Sequence, residues 1–148
     1  MENNTEITIG KRKNGIEIIY WVILAAGLGI FVLSKRLYVM AILGVFMIIV
    51  AIFILSQYYK TPKEAIKLCS DGNLIFKQNK ILISNITDVS YRRAKARRGT
   101  YTFGKIIVSV GEKNYEVNFI DDCEAVSKEI TRIVYDYKVW QSLFYCNY

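Results

Sequence analysis

From Ile18 to Leu33 the chain runs sixteen residues without a charge, and from Leu37 to Leu55 it runs nineteen more, with only Ser34-Lys35-Arg36 between them. At a helical rise of about 1.5 Å per residue the two runs reach roughly 24 and 28 Å, against a hydrocarbon core of about 30 Å. The second is long enough to span. The first is marginal until Ile16 and the Tyr20-Trp21 pair, suited to the headgroup level, are counted. Two uncharged runs three residues apart predict a transmembrane hairpin over 16–59. A cleaved signal peptide would need small residues in an A-x-A pattern, and Val32-Leu33-Ser34-Lys35 has none. Ala25 with Gly29, and Gly44 with Ala51, offer small-residue stripes along which two helices can approach.

From Ala65 the period changes to two. Asp71-Gly72 predicts a two-residue hairpin turn that sets Leu68 opposite Ile75, and Ile81 to Ile83 and Ile86 to Tyr91 read as two further strands. Ile106, Val108 and Val110 alternate with polar or outward positions, as do Tyr115, Val117 and Phe119, with Gly111-Glu112-Lys113 between them. That pattern predicts a half-buried antiparallel pair. Tyr101 and Phe103 have the opposite parity to Ile106, so a bulge at Gly104 is expected to return them to the core face. Six strands are counted.

The period then becomes helical. Cys123, Val126, Ile130, Ile133, Tyr137, Trp140 and Phe144 recur at steps of three and four, and Asp121 with Glu124 has the spacing of a capping box. A helix over 122–143 would be about 33 Å long, more than a small sheet needs. Its aromatic end, Tyr137, Trp140 and Phe144, either closes the sheet or contacts a partner or a second copy.

The chain has 148 residues and carries 20 Lys and Arg against 13 Asp and Glu. Beyond the hairpin there is length for one small domain, 61–148, and residues 1–15 are expected to form a flexible polar tail. Lys11, Arg12, Lys13, Lys60, Lys63 and Lys67 flank the hairpin, whereas its loop holds only Lys35 and Arg36. That asymmetry predicts both termini in the cytoplasm. Cys69, Cys123 and Cys146 are widely spaced, so neither a metal motif nor a disulfide framework is expected. There is no histidine and no recognisable nucleophile motif, so catalysis lacks its usual general base and no cofactor is expected.

The most pointed chemistry is Arg92, Arg93, Lys95, Arg97 and Arg98, five cations in seven residues, with Lys105 as a helper. Extended geometry would place Arg93, Lys95 and Arg97 on one face, where they could read anionic lipid; the alternative is a solvated hairpin whose charges prevent edge pairing. A nucleic-acid role is disfavoured by the membrane anchor.

The run Asn85-Ile86-Thr87-Asp88-Val89, a basic hairpin, Gly104-Lys105-Ile106-Ile107-Val108, Tyr115-Glu116-Val117-Asn118-Phe119 and a last amphipathic helix together resemble the bacterial pleckstrin-homology-like domain. That resemblance implies a membrane α-hairpin plus an α+β domain: a bent, roughly seven-stranded antiparallel sheet closed by one C-terminal helix, in a bacterial cell membrane, used for binding rather than catalysis. Against the six strands counted, the seventh is either hidden in 92–98 or absent. The expected function is an accessory or scaffold subunit engaging a protein partner or copies of itself. The alternatives are an anionic-lipid sensor acting through 92–98 and a bacteriocin immunity or envelope-stress protein.

Overall fold

The computed structural model describes residues 6–34, 38–97 and 99–145, the side chains of 144 and 145 excepted. It divides into two compact units, Asn14–Lys60 and the combination of Met1–Lys13 with Thr61–Tyr148.

The first unit is a helix pair, α1 (Ile16–Leu33) and α2 (Tyr38–Tyr59). Both are long and apolar enough to cross a membrane, with mean hydropathies of 2.3 and 3.0. Only 11% and 17% of their apolar windows are buried. A core helix of a soluble protein would bury most of that surface, whereas these two leave most of it uncovered. They meet at glycine. A Cβ on Gly44 would lie 2.9 Å from the Gly27 carbonyl oxygen and 3.0 Å from the Phe31 backbone nitrogen, so the backbones touch where side chains are absent. The α2 stripe of Gly44 and Ala51 is buried as its spacing predicts. On α1 the contact runs through Gly27 instead, and Ala25 lies exposed. The loop cations Lys35 and Arg36 lie outside the described residues.

Among the described residues the second unit holds seven strands and one long helix. The strands β1 (Glu6–Lys11), β2 (Glu64–Cys69), β3 (Asn73–Phe76) and β4 (Asn79–Leu82) form one antiparallel sheet in that order. A 3₁₀ turn, Ile83–Asn85, leads to the second sheet, made of β5 (Asp88–Ala96), β6 (Gly99–Val110) and β7 (Lys113–Ile120). The helix α3 (Cys123–Tyr145) ends the chain's described part.

The N-terminal segment corrects the expectation of a flexible tail over 1–15. Glu6–Lys11 is a strand, paired with β2 from Glu6 opposite Cys69 to Lys11 opposite Glu64. Ile9 packs on the core, and Gly10 lies so close over Ile66 that a Cβ there would be 3.0 Å from the Ile66 side chain. The seventh strand is therefore supplied from before the helix pair, while 92–96 simply lengthens β5. Chain order thus inserts α1 and α2 between two neighbouring strands of one sheet.

Beyond β1 the chain links the two sheets. Arg12 bridges to Ile120, Asp121 N–H donates to the Lys11 carbonyl at 2.9 Å, and Lys13 N–H donates to the Phe119 carbonyl at 2.7 Å. Between the sheets, Ile66, Leu74, Phe76, Ile83, Ile86, Ile106, Val108, Val117 and Ile120 are buried together, and Cys123, Val126 and Ile130 of α3 close the cluster. The first part of the stripe, Cys123, Val126 and Ile130 with half-buried Ile133 and Tyr137, is the buried face of α3, as its period requires.

Three local expectations shift by a residue or two. Leu68 faces Leu74, and Lys67 takes the place opposite Ile75. The reason is the turn: Gly72 N–H donates to the Cys69 carbonyl and Gly72 itself adopts φ 74°, a tight turn followed by a left-handed glycine, which takes three residues to cross. The helix cap also moves. Asp122 accepts from Ala125 N–H at 3.4 Å and so caps α3, whereas Asp121 holds Lys13 at 3.1 Å and Glu124 turns away to Arg93 and Lys128. Finally, Gly104 itself faces inward with Ile106, so Tyr101 stays half exposed and Phe103 lies on the outer side, ring against ring at 5.2 Å. The ladder irregularities flank Gly104: in β7, Asn118 and Phe119 stand against Lys105, and in β6, Tyr101, Thr102 and Phe103 stand against Ala94.

Candidate functional site

The basic segment occupies the end of β5 and its turn into β6. Up to Arg93 the ladder is regular, with Arg92 opposite Lys105 and Arg93 opposite Gly104; it then breaks, resuming with Lys95 opposite Thr100. β5 itself runs unbroken to Ala96, so Arg93 and Lys95 keep alternate positions along it, whereas Arg97 falls beyond the strand. Arg97 lies exposed in the turn, and Arg98 lies outside the described residues.

On the other side of β6, Ile106 faces Val117 while Gly104 faces Ile120, so Asn118 and Phe119 together oppose Lys105. This is a bulge, with Phe119 at φ 62°. The two irregularities leave an open cleft of about 330 Å³, lined by Arg92, Arg93, Lys95, Lys105, Phe103 and the Asn118-Phe119 bulge. Four of the six predicted cationic residues thus line one cleft.

Their partners differ. Arg93 reaches Glu124 on α3, which is also held by Lys128 at 2.8 Å. Lys105 pairs with Glu116 at 2.9 Å. Among the described residues no carboxylate lies within ion-pair reach of Arg92 or Lys95. Arg93 keeps one further donor, since its Nε is buried without a hydrogen-bond acceptor.

The aromatic end of α3 builds a second feature. Tyr137 packs against the core and touches Gly72, where a Cβ would stand 3.1 Å from its ring. Trp140, one turn further, is 64% exposed. Together with Ile133, Leu68, Cys69, Ile83 and Asp71 they line an open groove of about 660 Å³. Tyr137 therefore closes the sheet and Trp140 does not; the Phe144 side chain lies outside the described residues.

The buried thiols offer no reactive group. Burial pushes both the Cys69 and the Cys123 thiol above the ordinary cysteine range, and Cys123 Sγ points to the Thr102 carbonyl at 3.4 Å. Among the described residues no cluster of three His, Cys, Asp or Glu side chains could hold a metal ion. Cys146 lies outside them. No protein-family model, no curated protein and no solved structure matches the chain.

Proposed function

We propose that this chain is a non-enzymatic, membrane-anchored binding module, an accessory or scaffold subunit that holds a pleckstrin-homology-like domain at the inner leaflet of a bacterial cell membrane. The observation that carries this reading is the pairing of β1 with β2 across the whole helix pair. Strands of one folded sheet lie on one side of a bilayer, so the segment between them must cross an even number of times, and α1 with α2 supplies two crossings. A cleaved signal peptide ending after α1 would remove β1 from its sheet. The connections into and out of the helix pair, 12–15 and 60–63, are four residues each.

The cations flanking the pair outnumber those of its loop by six to two, which favours the cytoplasmic side for the domain and both termini. The arrangement of a four-stranded and a three-stranded antiparallel sheet, linked along β1 and β7 and packed by one C-terminal helix, supports the pleckstrin-homology-like reading. Exposed Trp140 beside the groove at Tyr137 is the surface best suited to a protein partner or a second copy, because large aromatics at the rim of a pocket dominate association energies.

Purification of the full-length chain in mild detergent, followed by native mass measurement, tests the assembly role. A stoichiometric partner or a homo-oligomer is expected, and Trp140→Ala is expected to weaken it at least about tenfold while the exposed-turn change Arg97→Gln leaves it intact. A chain that is monomeric and alone, or an assembly indifferent to Trp140→Ala, contradicts it.

A further inference from the structure

We propose that the free edge of β5 is an interface between two copies of this chain, which pair there antiparallel about Ser90 and join two three-stranded sheets into one of six. The surface is separate from the groove at Trp140 and does not depend on what that groove holds.

The edge is open and long. Sheet order runs β5-β6-β7, so among the described residues no strand lies on the outer side of β5. The other sheet offers less: β1 is joined to β7 through Arg12 and Ile120, and β4 has only four residues, whereas β5 has nine. Short edges are poor templates for pairing, and a strand of nine residues is longer than most. Beside β5 runs an open groove of about 440 Å³, walled by Val89, Ser90 and Tyr91 on one side and by Ser127, Lys128 and Thr131 of α3 on the other. It leaves the inner side of that edge uncovered.

The strand is self-complementary in one register. Asp88, Ser90 and Arg92 stand opposite Ser109, Ile107 and Lys105 on the outer face, whereas Val89 and Tyr91 stand opposite buried Val108 and Ile106 and face inward. A twofold axis through Ser90 sets Asp88 of each copy against Arg92 of the other, and Val89 of each against Tyr91 of the other. The result is two opposite-charge pairs on the outer face and two aromatic–β-branched pairs on the inner one, combinations that stabilise adjacent strands. All the groups are available. Among the described residues neither Asp88 nor Arg92 has an ion-pair partner in its own chain, and Tyr91 is 40% exposed.

Neighbouring registers lose these pairs. Centred on Val89 or Tyr91, the strands no longer bring Asp88 to Arg92; centred on Arg92, they set two arginines face to face, which is destabilising. Charges that only blocked the edge would repel a strand in every register. Here the same arginine rejects one alignment and accepts another, which is how an interface selects its partner.

The experiment uses the full-length chain in native membranes with Cys146→Ser as background, because Cys69 and Cys123 are buried. Opposed residues of an antiparallel pair have Cα atoms about 4.5–5.5 Å apart, within disulfide reach, whereas four residues along a strand come to about 13 Å. Under mild oxidation Ser90→Cys should therefore cross-link to a second copy and Asp88→Cys should not. Co-expressed chains carrying Asp88→Cys and Arg92→Cys should cross-link to each other. Sedimentation in mild detergent, with Trp140→Ala added so that only this contact is read, should show a dimer. Asp88→Arg and Arg92→Asp should each weaken it about tenfold or more, and the two together should restore it, which a misfolded chain would not do. Absence of the Ser90→Cys dimer, equal cross-linking by Asp88→Cys, a cross-link from position 90 to a different protein, or no rescue by the double exchange overturns the proposal.

Discussion

Replacing Gly104 by alanine should cost the sheet unit about 3 kcal/mol, at or beyond the upper end of ordinary overpacking. One methyl group is added. It would collide with the Arg92 carbonyl oxygen and come within 2.9 Å of both the Arg93 Cα and the Cys123 sulfur. Two of those three atoms are backbone, held by the β5–β6 ladder, and the third is pinned at the start of α3. No flexible side chain can yield, so the strands must separate or α3 must lift from the buried cluster. Chemical denaturation of the full-length chain in detergent, followed by amide hydrogen exchange in β5 and β6, measures the loss. A variant within about 0.5 kcal/mol of the parent, the range of neutral surface changes, would mean the strands are not packed as described. The same substitution should flatten the cationic cleft, since Gly104 is part of its wall.

Deletion of residues 6–11 should have the larger effect and abolish cooperative folding of the sheet unit. The deletion bares Ile66, which is fully buried, and unpairs the outer edge of β2. It also removes the Lys11 carbonyl that accepts from Asp121 N–H. Exposing one isoleucine costs about 1.5–3 kcal/mol, and each net ladder bond about 1 kcal/mol. Several such losses together rival the whole stability of a small domain, about 5–15 kcal/mol. Hydrogen exchange should show protection lost in β2 and β7 and kept in α1 and α2, because the helix pair forms its own compact unit. Ile9→Asp should show the same pattern more weakly. Unchanged protection of β2 would contradict the role given to β1.

These two positions also show where the sequence was readable. Long uncharged runs, strand alternation and the stripe of α3 each repeat many times within one segment, so local periodicity reveals them. β1 does not repeat enough: Ile7 and Ile9 are its only large apolar residues, and its partner begins 53 residues after its own last residue. A strand that short is defined by its neighbour, and the neighbour lies beyond the helix pair. The basic segment was visible as a cluster of charge, but its geometry was not. Glu124, which takes Arg93, belongs to another element, and the Phe119 bulge has no glycine to announce it. Trp140 and Tyr137 share one periodic stripe, yet only the sheet's edge near Gly72 decides which of them is covered.

Insertion of a membrane hairpin between two adjacent strands is the central claim, and the side of the bilayer on which each segment lies tests it most directly. Single cysteines are placed at Glu6, Lys35 or Glu112 in a Cys146→Ser background and challenged with a membrane-impermeant maleimide in intact cells. Position 35 should label in intact cells, and positions 6 and 112 only after permeabilisation. Labelling of 6 and 112 from opposite sides, or protection of 35 together with 112, would contradict it.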